Sequence, residues 1–553
     1  MSASRYSITE PVAVNPMGRR GMISTPHYLA SQAGLAILRR GGTAVDAVIA
    51  ATAVLSVVYP HMCGLGGDSF WLIYEAASGQ LRALNASGRA AALADTAFYT
   101  NRGFTSVPMR GPLAANTVPG AVSGWGAAYE LSKKSMSSPL SWAELLDDAC
   151  CYAEEGFATA PSLSYWLRVN IGGETPQRAL EKLPGFLQLF CTDDTGNIPA
   201  AGQWLRQPEL ARSLQLLSRN GIAEFYEGSI AQAVDRSMQA LGGPLRAADF
   251  AAHRADWADA LSVSYRGFTA VSAPPNCQGI SALQILNICN YLDIGAMGEG
   301  SADYYHHLVE AVRLAFADRN RWLTDPDHVN IPLHELLSSA YGREQAGRIR
   351  SEQSLSVLQP LEPGGDTVWV GAVDSAGNAV SMLQSIYHEF GSGIAAKDTG
   401  ILLQNRGCAF SLDPVHVNCL KPGKRSMHTL TPVMLLEKGK PWLVYGSMGG
   451  DGQPQTVAAL TTRMADFNLS PQEAVTAPRW LLGRSWGAPD NDLKLEGRIS
   501  SSIAEDLRRR GHVVRMLDNF TEVMGHAGAI RCHANGILQG AADPRSDGQA
   551  LAF

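Results

Sequence analysis

The sequence shows no pattern typical of a membrane-spanning segment or of an export signal, and it has no excess of positive charge. Its longest apolar stretch, residues 44–59, is interrupted by Asp46 and is shorter than the roughly 20 residues that a spanning helix needs. Residues 1–10 contain no apolar core of the kind found in export signals. The formal net charge of -6 offers no basic field for a polyanion. We therefore expect a cytoplasmic protein with neither a membrane nor a nucleic acid as partner.

Cysteine spacings that would form a disulfide framework or a metal site are also missing. The nine cysteines are an odd number, only Cys150 and Cys151 are adjacent, and no C-x-x-C pair is present. His306, His307 and Glu310 share one predicted helix. Adjacent helical residues point about 100° apart, so both histidines cannot face one ion together with Glu310. We expect partly exposed side chains at these three positions, no metal site and no cofactor.

A large apolar fraction and a mixed pattern of elements characterise the chain. With 553 residues, 46% hydrophobic and 17% charged, it can bury a large core and would ordinarily form two or more domains. Helical spacing over residues 28–40 ends at Gly41 and Gly42, and Thr43 followed by Asp46 predicts a capped second helix. Strand pairs mixed with helical blocks indicate an α+β layered fold. Further predicted strands cover residues 70–74, 81–84, 367–373, 379–385, 430–436, 442–447, 527–532 and 537–540, and further predicted helices cover residues 304–322, 457–465 and 503–510.

Thr367 is the strongest candidate for a catalytic residue. It follows the glycine- and proline-containing loop of residues 359–366 and opens the strand-like run of residues 367–373. A hydroxyl residue at such a junction is suited to become a new N-terminus after the chain is cut. The freed threonine would carry nucleophile and base together, since its own α-amino group can accept the hydroxyl proton.

The run that begins at Thr367, TVWVGAVDSAGNAV, resembles the γ-glutamyltranspeptidase family of N-terminal-nucleophile hydrolases. That family has a catalytic threonine, a strand, a D-x-x-G-N turn and a second strand in this order. The resemblance implies a four-layer αββα sandwich and self-cleavage of a proenzyme between Asp366 and Thr367. A large chain of residues 1–366 and a small chain of residues 367–553 would together form one core. Other blocks that carry the resemblance are residues 24–56, 64–73, 307–327, 400–403, 446–450 and 541–547.

The resemblance also implies catalytic roles for three further residues. Ser385 matches a second hydroxyl position and would orient Thr367 from the adjacent strand; the alternative is an ordinary strand serine. Gly449 and Gly450 match the oxyanion-hole glycines, whose N–H groups stabilise a tetrahedral intermediate; the alternative is an ordinary glycine-rich turn. A free α-amino group has an ordinary pKa of about 7.7–8.0, so the Thr367 amine would need only a modest downward shift to act as a base.

The substrate positions depart from those of transpeptidases. Where that family holds the glutamyl α-amino group with amide and aspartate side chains, this chain has Tyr387, Arg406 and Ala409. None is a good acceptor for an ammonium group, and Arg406 would repel one. His428 and Thr429 stand where transpeptidases place paired serines over the substrate carboxylate. We therefore do not expect γ-glutamyl specificity.

Two arginines are candidates for binding a substrate carboxylate. The family's carboxylate-binding arginine position is Ser87 here, and Arg89 stands two residues later, after Gly88, which would let the backbone re-aim the side chain. A guanidinium grips a carboxylate through paired hydrogen bonds. Arg89 with Arg406 thus suggests a pocket for a carboxylate that has no neighbouring amine. Either arginine could instead pair with a structural acid.

These features predict a self-processing amidohydrolase that acts on a small amide carrying a carboxylate. Our best prediction for the substrate is oxamate, which would give oxalate and ammonia in purine-nitrogen breakdown. The alternatives are a γ-glutamyl hydrolase or transferase acting on glutathione-type compounds, a glutaryl-type acylase, and a non-catalytic relative that never cuts itself. The large and small chains of one precursor would be each other's partners, and the sequence is compatible with a homo-oligomer.

Overall fold

A computed structural model gives the arrangement of the chain, and it describes residues 15–191, 197–355, 365–483 and 491–553. Residues 1–10 and residues 359–364 of the predicted loop lie outside these ranges. The described strands are β1 (Met17–Gly18), β2 (Met22–Thr25), β3 (Asp68–Glu75), β4 (Gln80–Ala86), β5 (Phe157–Ala158), β6 (Trp204–Leu205), β7 (Asp256–Ala258), β8 (Leu261–Tyr265), β9 (Phe268–Ser272), β10 (Asp366–Val373), β11 (Ala379–Tyr387), β12 (Ala395–Ala396), β13 (Ile401–Leu402), β14 (Val433–Glu437), β15 (Lys440–Ser447), β16 (Trp480–Leu482), β17 (Leu493–Glu496), β18 (Val514–Leu517), β19 (Ala527–Cys532), β20 (Leu538–Ala542) and β21 (Gln549–Ala552).

The described α-helices are α1 (Tyr28–Arg39), α2 (Ala44–Val58), α3 (Thr96–Thr100), α4 (Ala121–Ser135), α5 (Trp142–Glu155), α6 (Pro161–Asn170), α7 (Phe186–Phe190), α8 (Pro208–Asn220), α9 (Ala223–Tyr226), α10 (Ser229–Ala240), α11 (Ala247–Ala252), α12 (Gly279–Cys289), α13 (Ile294–Met297), α14 (Ala302–Trp322), α15 (Leu333–Leu336), α16 (Ser339–Ala346), α17 (Gly452–Ala465), α18 (Pro471–Thr476) and α19 (Ser501–Arg509). The long helices and the strand pairs fall where the sequence pattern predicts them.

Two seven-stranded antiparallel sheets form the centre of the fold. The first has the strand order β1-β20-β19-β15-β14-β9-β8, and the second has the order β21-β2-β10-β11-β3-β4-β7. Strand β10, which contains Thr367, is an inner strand of the second sheet and pairs with β11 and β2. The predicted hairpin is therefore confirmed.

The two sheets pack face to face between two layers of helices, because both faces of each sheet carry apolar side chains. Residues that face inward from both sheets share one core, for example Trp369 and Leu383 from the second sheet with Met434 and Ile530 from the first. The outer face of the second sheet packs against α1, α2 and α4, while α5 packs on α2 and α8 packs on α5. The outer face of the first sheet packs against α12, α17 and α18, while α14 packs on α12 and α17 and contacts α19. The predicted four-layer αββα sandwich is confirmed.

Local sequence signals explain how the second sheet meets its helices. Helix α2 begins with the predicted capping box, in which Thr43 Oγ1 accepts from Asp46 N–H and Asp46 Oδ2 accepts from Thr43 N–H. Asp374, in the turn of the β10–β11 hairpin, accepts from the backbone N–H of Ala44 at 2.9 Å. The turn carboxylate thereby supplements the cap at the positive end of the helix.

The expectation that His306, His307 and Glu310 are partly exposed is wrong. All three are buried, because α14 packs against α12, α17 and α19 within the helical layer. His306 Nδ1 lies 2.8 Å from His512 Nε2, and Glu310 Oε1 accepts from Arg313 Nε at 3.1 Å. The group is a hydrogen-bonded cluster whose carboxylate is balanced by an arginine, and His307 contacts a backbone carbonyl instead.

Two further observations concern the predicted absences. All nine cysteines are free thiols. Among the described helices, none combines the length and the apolar character that crossing a bilayer requires, and every residue of α2 is buried in the protein.

Trp369 should be a large contributor to stability, because it fills the space between the sheets where three glycines leave room. A Cβ atom on Gly371, Gly446 or Gly528 would come within 2.4, 2.2 and 2.3 Å of its ring. We expect Trp369→Ala to lower the free energy of unfolding by about 3–5 kcal/mol. The exposed Trp204 is the control, and its change to alanine should cost less than about 1 kcal/mol. Equal shifts of the urea midpoint for both variants would contradict this account of the core.

Candidate active site

Thr367 lies at a bulge in the ladder between β10 and β11. Asp366 pairs with Tyr387 and Val368 pairs with Gln384, so Ser385 and the residue after it both lie opposite Thr367. Tyr387 has a φ of 80°, a left-handed conformation that few non-glycine residues adopt. The bulge and this conformation turn the end of β11 toward Thr367, whose side chain is buried.

The Thr367 hydroxyl accepts a hydrogen bond from a glutamine of α17, a helix that packs on the first sheet. Gln453, the second residue of α17, donates from Nε2 to Thr367 Oγ1 at 3.2 Å. The backbone N–H of Gln453 donates to the carbonyl of Gly450 at 3.2 Å. One residue thus connects the candidate nucleophile to the loop that carries the glycine pair.

The loop of Gly449 and Gly450 has a conformation that favours glycine and leaves its N–H groups without intramolecular partners among the described residues. Both residues have positive φ, 113° and 52°, which disfavours side chains at these positions. Among the described residues, no group accepts a hydrogen bond from the N–H of Gly449 or Gly450. Two contacts hold the loop in place. Asp451, the residue after Gly450, forms a buried ion pair with Arg319 at 2.8 Å, and Gln278 Nε2 donates to Gly450 O at 2.9 Å. Two adjacent N–H groups therefore remain available for a ligand.

Arg406 is a buried cation next to Ser385. Its NH2 donates to Ser385 Oγ at 3.4 Å and its NH1 donates to Thr429 Oγ1 at 3.1 Å, while its guanidinium lies 3.8 Å from the centre of the Tyr387 ring. Within the described part of the chain, no carboxylate lies at salt-bridge distance from Arg406, and its Nε has no hydrogen-bond partner. Burial lowers the pKa of Arg406 to about 10, so the group stays charged at neutral pH. A buried cation without an ion pair is costly, and an anionic ligand would relieve that cost.

Asp68 organises the residues around this cation. It pairs with Ser385 across the β3–β11 ladder, and its Oδ1 accepts from the backbone N–H groups of Gly88 and Gly120 at 3.0 Å and from Gln404 Nε2 at 2.9 Å. Its other oxygen contacts His428 Nε2 at 3.3 Å. The Asp68 carboxylate thereby brings two backbone N–H groups and the side chains of Gln404 and His428 together at one point.

His428 is a neutral ring in this environment. Burial and, to a smaller extent, the charge of Arg406 lower its pKa to about 4, and Asp68 opposes the shift. His428 Nδ1 accepts from the backbone N–H of Leu430 at 3.4 Å, so the ring proton is on Nε2 and points to Asp68. The imidazole is therefore a hydrogen-bond donor to the carboxylate and not a second cation beside Arg406.

Arg89 does not join this group. Its side chain is 37% exposed and pairs with Asp325 at 3.3 Å and Asp327 at 2.9 Å. Gly88 is required for a reason other than re-aiming Arg89: a Cβ atom there would lie 1.5 Å from the carbonyl oxygen of Val118. Arg89 therefore forms structural ion pairs, which was the alternative interpretation of the sequence. Arg406 forms no ion pair with any described residue.

A cavity of about 1120 Å³ borders the site. His388 and Glu389, which follow Tyr387, and Cys408 and Ala409, which follow Arg406, line its near side. Its far side is formed by α6 and by residues 521–523.

The structure brings together most of the predicted site residues and adds three others. Ser385, Tyr387, Arg406, His428 and Thr429 form one connected group, and Gln278 joins it to the glycine loop through Thr429 O at 2.7 Å. The sequence does not predict a role for three of the residues found here, namely Asp68, Gln278 and Gln453. Asp68 closes the glycine turn of residues 64–68, which was the available signal; the two glutamines stand in no recognisable motif.

Comparison with known proteins agrees with this arrangement. A family model described as gamma-glutamyltranspeptidase matches residues 30–553. The oxamate amidohydrolase proenzyme of Klebsiella pneumoniae is 44% identical over 533 residues, covering 96% of this chain and 98% of that protein. The glutathione hydrolase-like YwrD proenzyme of Bacillus subtilis is 42% identical over 535 residues, covering 97% and 99%. The crystal structure of a cephalosporin acylase from Bacillus halodurans is 34% identical, with a TM-score of 0.89 and coverage of 100% and 99%.

The αββα layers with a threonine at the start of an inner strand define the class of N-terminal-nucleophile hydrolases. Within that class the chain belongs to the gamma-glutamyltranspeptidase family. It is an enzyme that hydrolyses amide bonds, as the sequence predicted.

The buried histidines should make the protein sensitive to acid. Burial is the main cause that holds the pKa of seven histidines well below the ordinary 6.5, namely His27, His61, His253, His306, His428, His512 and His526. Between pH 6.5 and about 4 the unfolded chain binds more protons than the folded one, so stability falls as the pH falls through this window. Each such histidine contributes a slope of up to about 1.4 kcal/mol per pH unit. Urea midpoints at pH 7.5, 6.5 and 5.5 would measure the loss, and equal midpoints would contradict the prediction.

Proposed function

We propose that this chain is a proenzyme that cuts itself between Asp366 and Thr367 and then hydrolyses a small amide that carries a carboxylate, with oxamate as the preferred substrate. The observation that carries the proposal is the buried, unpaired guanidinium of Arg406 beside the hairpin end that holds Thr367. A carboxylate bound there would complete an ion pair that the described residues do not supply.

In the proposed reaction the freed Thr367 hydroxyl attacks the amide carbonyl while the α-amino group takes the hydroxyl proton. The N–H groups of Gly449 and Gly450 donate to the oxyanion of the tetrahedral intermediate. Collapse of the intermediate expels ammonia, which receives the proton, and leaves an ester on Thr367. Water then attacks the ester and releases the acid, which restores the hydroxyl.

The site is unfavourable for a γ-glutamyl α-ammonium group. The charge of Asp68 acts on Arg406, but the oxygens of Asp68 already accept from two backbone N–H groups, Gln404 and His428. Tyr387 stacks on Arg406 and fills the place where an acceptor would be needed. An ammonium here would be buried without partners beside a like charge, which is costly.

The relatives support an amide hydrolase and divide on its substrate. The name of the Klebsiella relative specifies oxamate, and the name of the Bacillus subtilis relative refers to glutathione, at nearly equal identity. The charge of the pocket supports the first. Oxamate is an amide joined directly to a carboxylate, so Arg406 and the glycine N–H groups could act on its two ends.

A longer acid amide is the second candidate, and the cavity beside Ala409 is the observation that favours it. A volume of this size accommodates an acyl group or leaving group much larger than that of oxamate. The similarity in structure to a cephalosporin acylase supports the same alternative.

Self-cleavage is directly testable. The purified wild-type protein should give two chains in denaturing electrophoresis, and the smaller chain should begin at Thr367. Thr367→Ala removes the attacking hydroxyl and should leave one chain of 59.1 kDa. Cleavage that persists in this variant, or a small chain with another N-terminus, would refute the proposal.

Substrate choice is tested by comparing rates with oxamate, glutaryl amides and γ-glutamyl-p-nitroanilide. We expect the highest kcat/KM with oxamate. Arg406→Gln should lower that value by a factor of about 30–1000, because a charge-assisted contact of a few kcal/mol is lost, while self-cleavage continues. Arg89→Gln is the matched control, and its ion pairs with Asp325 and Asp327 lead us to expect a change of less than about threefold.

A clear preference for the γ-glutamyl compound would show that the pocket accepts an ammonium group. A clear preference for a glutaryl amide would transfer the proposal to the second candidate. A loss in Arg89→Gln equal to that in Arg406→Gln would restore Arg89 as a carboxylate ligand.

A further inference from the structure

We propose that Gln453 is a further catalytic residue, whose carboxamide holds the Thr367 hydroxyl through Nε2 and accepts a hydrogen bond through Oε1 from the amino group that self-cleavage creates. The inference rests on the proposed role of Thr367 as the nucleophile. It gives a role to Gln453, which lies outside the sequence motifs that resemble the family.

The first argument is that the carboxamide is only half satisfied. Gln453 is fully buried, and its Nε2 donates to Thr367 Oγ1 at 3.2 Å. Its Oε1 has no hydrogen-bond partner among the described residues. Leaving a buried acceptor unpaired is unfavourable, because the group has lost its hydrogen bonds to water. An acceptor left open at the side of a nucleophile points to a donor that forms later.

Self-cleavage creates such a donor on the same residue. Oγ1 of Thr367 attacks the Asp366 carbonyl carbon, the bond from that carbon to Thr367 N breaks, and the nitrogen receives the hydroxyl proton. Hydrolysis of the resulting ester by water leaves a carboxylate on Asp366 and restores the hydroxyl. Thr367 N has then changed from a peptide nitrogen with one N–H to an amine with new N–H donors, two bonds away from the carbon that bears Oγ1. Oε1 and Nε2 share one carbon, so one carboxamide can contact both groups of the threonine.

The second argument is electrostatic. The Thr367 amine must be neutral to accept the hydroxyl proton, and a neutral amide acceptor orients it while favouring the charged form much less than a carboxylate would. A glutamate at this position would stabilise the ammonium and raise the pKa of the amine. A glutamine is therefore the appropriate residue beside an N-terminal nucleophile that also acts as the base.

The third argument is the position of Gln453 on the start of α17. Its N–H donates to Gly450 O, so the residue that holds Oγ1 also fixes the loop of the proposed oxyanion donors. Gln455, two residues later on the same helix, provides a matched control. It is buried, its Nε2 donates to Asp451 O and Leu482 O, and its Oε1 accepts from Leu482 N–H, so none of these bonds involves Thr367.

The experiment compares Gln453→Met, Gln453→Glu and Gln455→Met in the full-length chain. The time course of chain cleavage is followed by denaturing electrophoresis, and kcat, KM and the pH profile of kcat/KM are measured with the best amide of the substrate panel. Gln453→Met should slow cleavage at least about tenfold and lower kcat by a factor of about 10–100, with KM within about threefold of wild type. Gln455→Met should change both rates by less than about threefold. Gln453→Glu should shift the acidic limb of the pH profile upward by about one unit.

Wild-type cleavage and turnover in Gln453→Met would overturn the inference. Equal losses in Gln453→Met and Gln455→Met, or an unchanged pH profile in Gln453→Glu, would also overturn it, since these results indicate a packing role. If Gln453→Met does not fold, Gln453→Glu decides through its pH profile: an acidic limb shifted upward in a chain with a wild-type melting temperature supports the inference, and an unchanged limb overturns it. Cleavage requires no substrate, so an error in the substrate assignment leaves this readout intact, and an error in the nucleophile appears as a small chain that does not begin at Thr367.

Discussion

The burial of the Asp68 carboxylate is the constraint on which the site depends. A buried charge is tolerated only if donors surround it, and Asp68 obtains them from the turn at Gly88, the start of α4 at Gly120, Gln404 and His428. These donors come from four separate parts of the chain. Their convergence on one carboxylate accompanies the contact between Arg406 and Thr429 and the contact between Arg406 and Ser385, which lies opposite Thr367 on β11. Loss of the carboxylate would leave four donors to find new partners.

The distribution of charge around this carboxylate suits an anionic ligand. Asp68 already accepts four hydrogen bonds, and His428 is neutral. Arg406 is positively charged, and its direct contacts are two hydroxyl oxygens and the Tyr387 ring. A neutral histidine matters here because an imidazolium would compete with Arg406 for the same negative charge. The glycine loop on the other side contributes N–H groups but no charge. In the proposed reaction the substrate's anionic group would bind at Arg406, and its reacting carbonyl would lie at the glycine loop.

Much of the fold and part of the site could be predicted from the sequence. The capping box at Thr43, the stop at Gly41 and the hairpin after Thr367 are local signals, and local physics decides them. The pairing of Arg89 with Asp325 and Asp327 could not be predicted, because it joins residues more than 230 positions apart. The same holds for Asp68 and Gln453, whose roles come from what they contact and not from their neighbours in sequence. The burial of His306 was missed because its helix packs on both sides, which the pattern of one helix does not reveal.

The strand order has a consequence for recovery from denaturation. A cut before Thr367 would assign β1, β2, β3, β4, β7, β8 and β9 to one polypeptide and β10, β11, β14, β15, β19, β20 and β21 to the other. Five ladders would then join different polypeptides: β1 with β20, β14 with β9, β21 with β2, β2 with β10, and β11 with β3. The uncut chain forms these ladders within one molecule, whereas two denatured pieces would have to find each other at a rate set by their concentration. The mature protein would therefore owe its persistence to slow unfolding rather than to ready refolding.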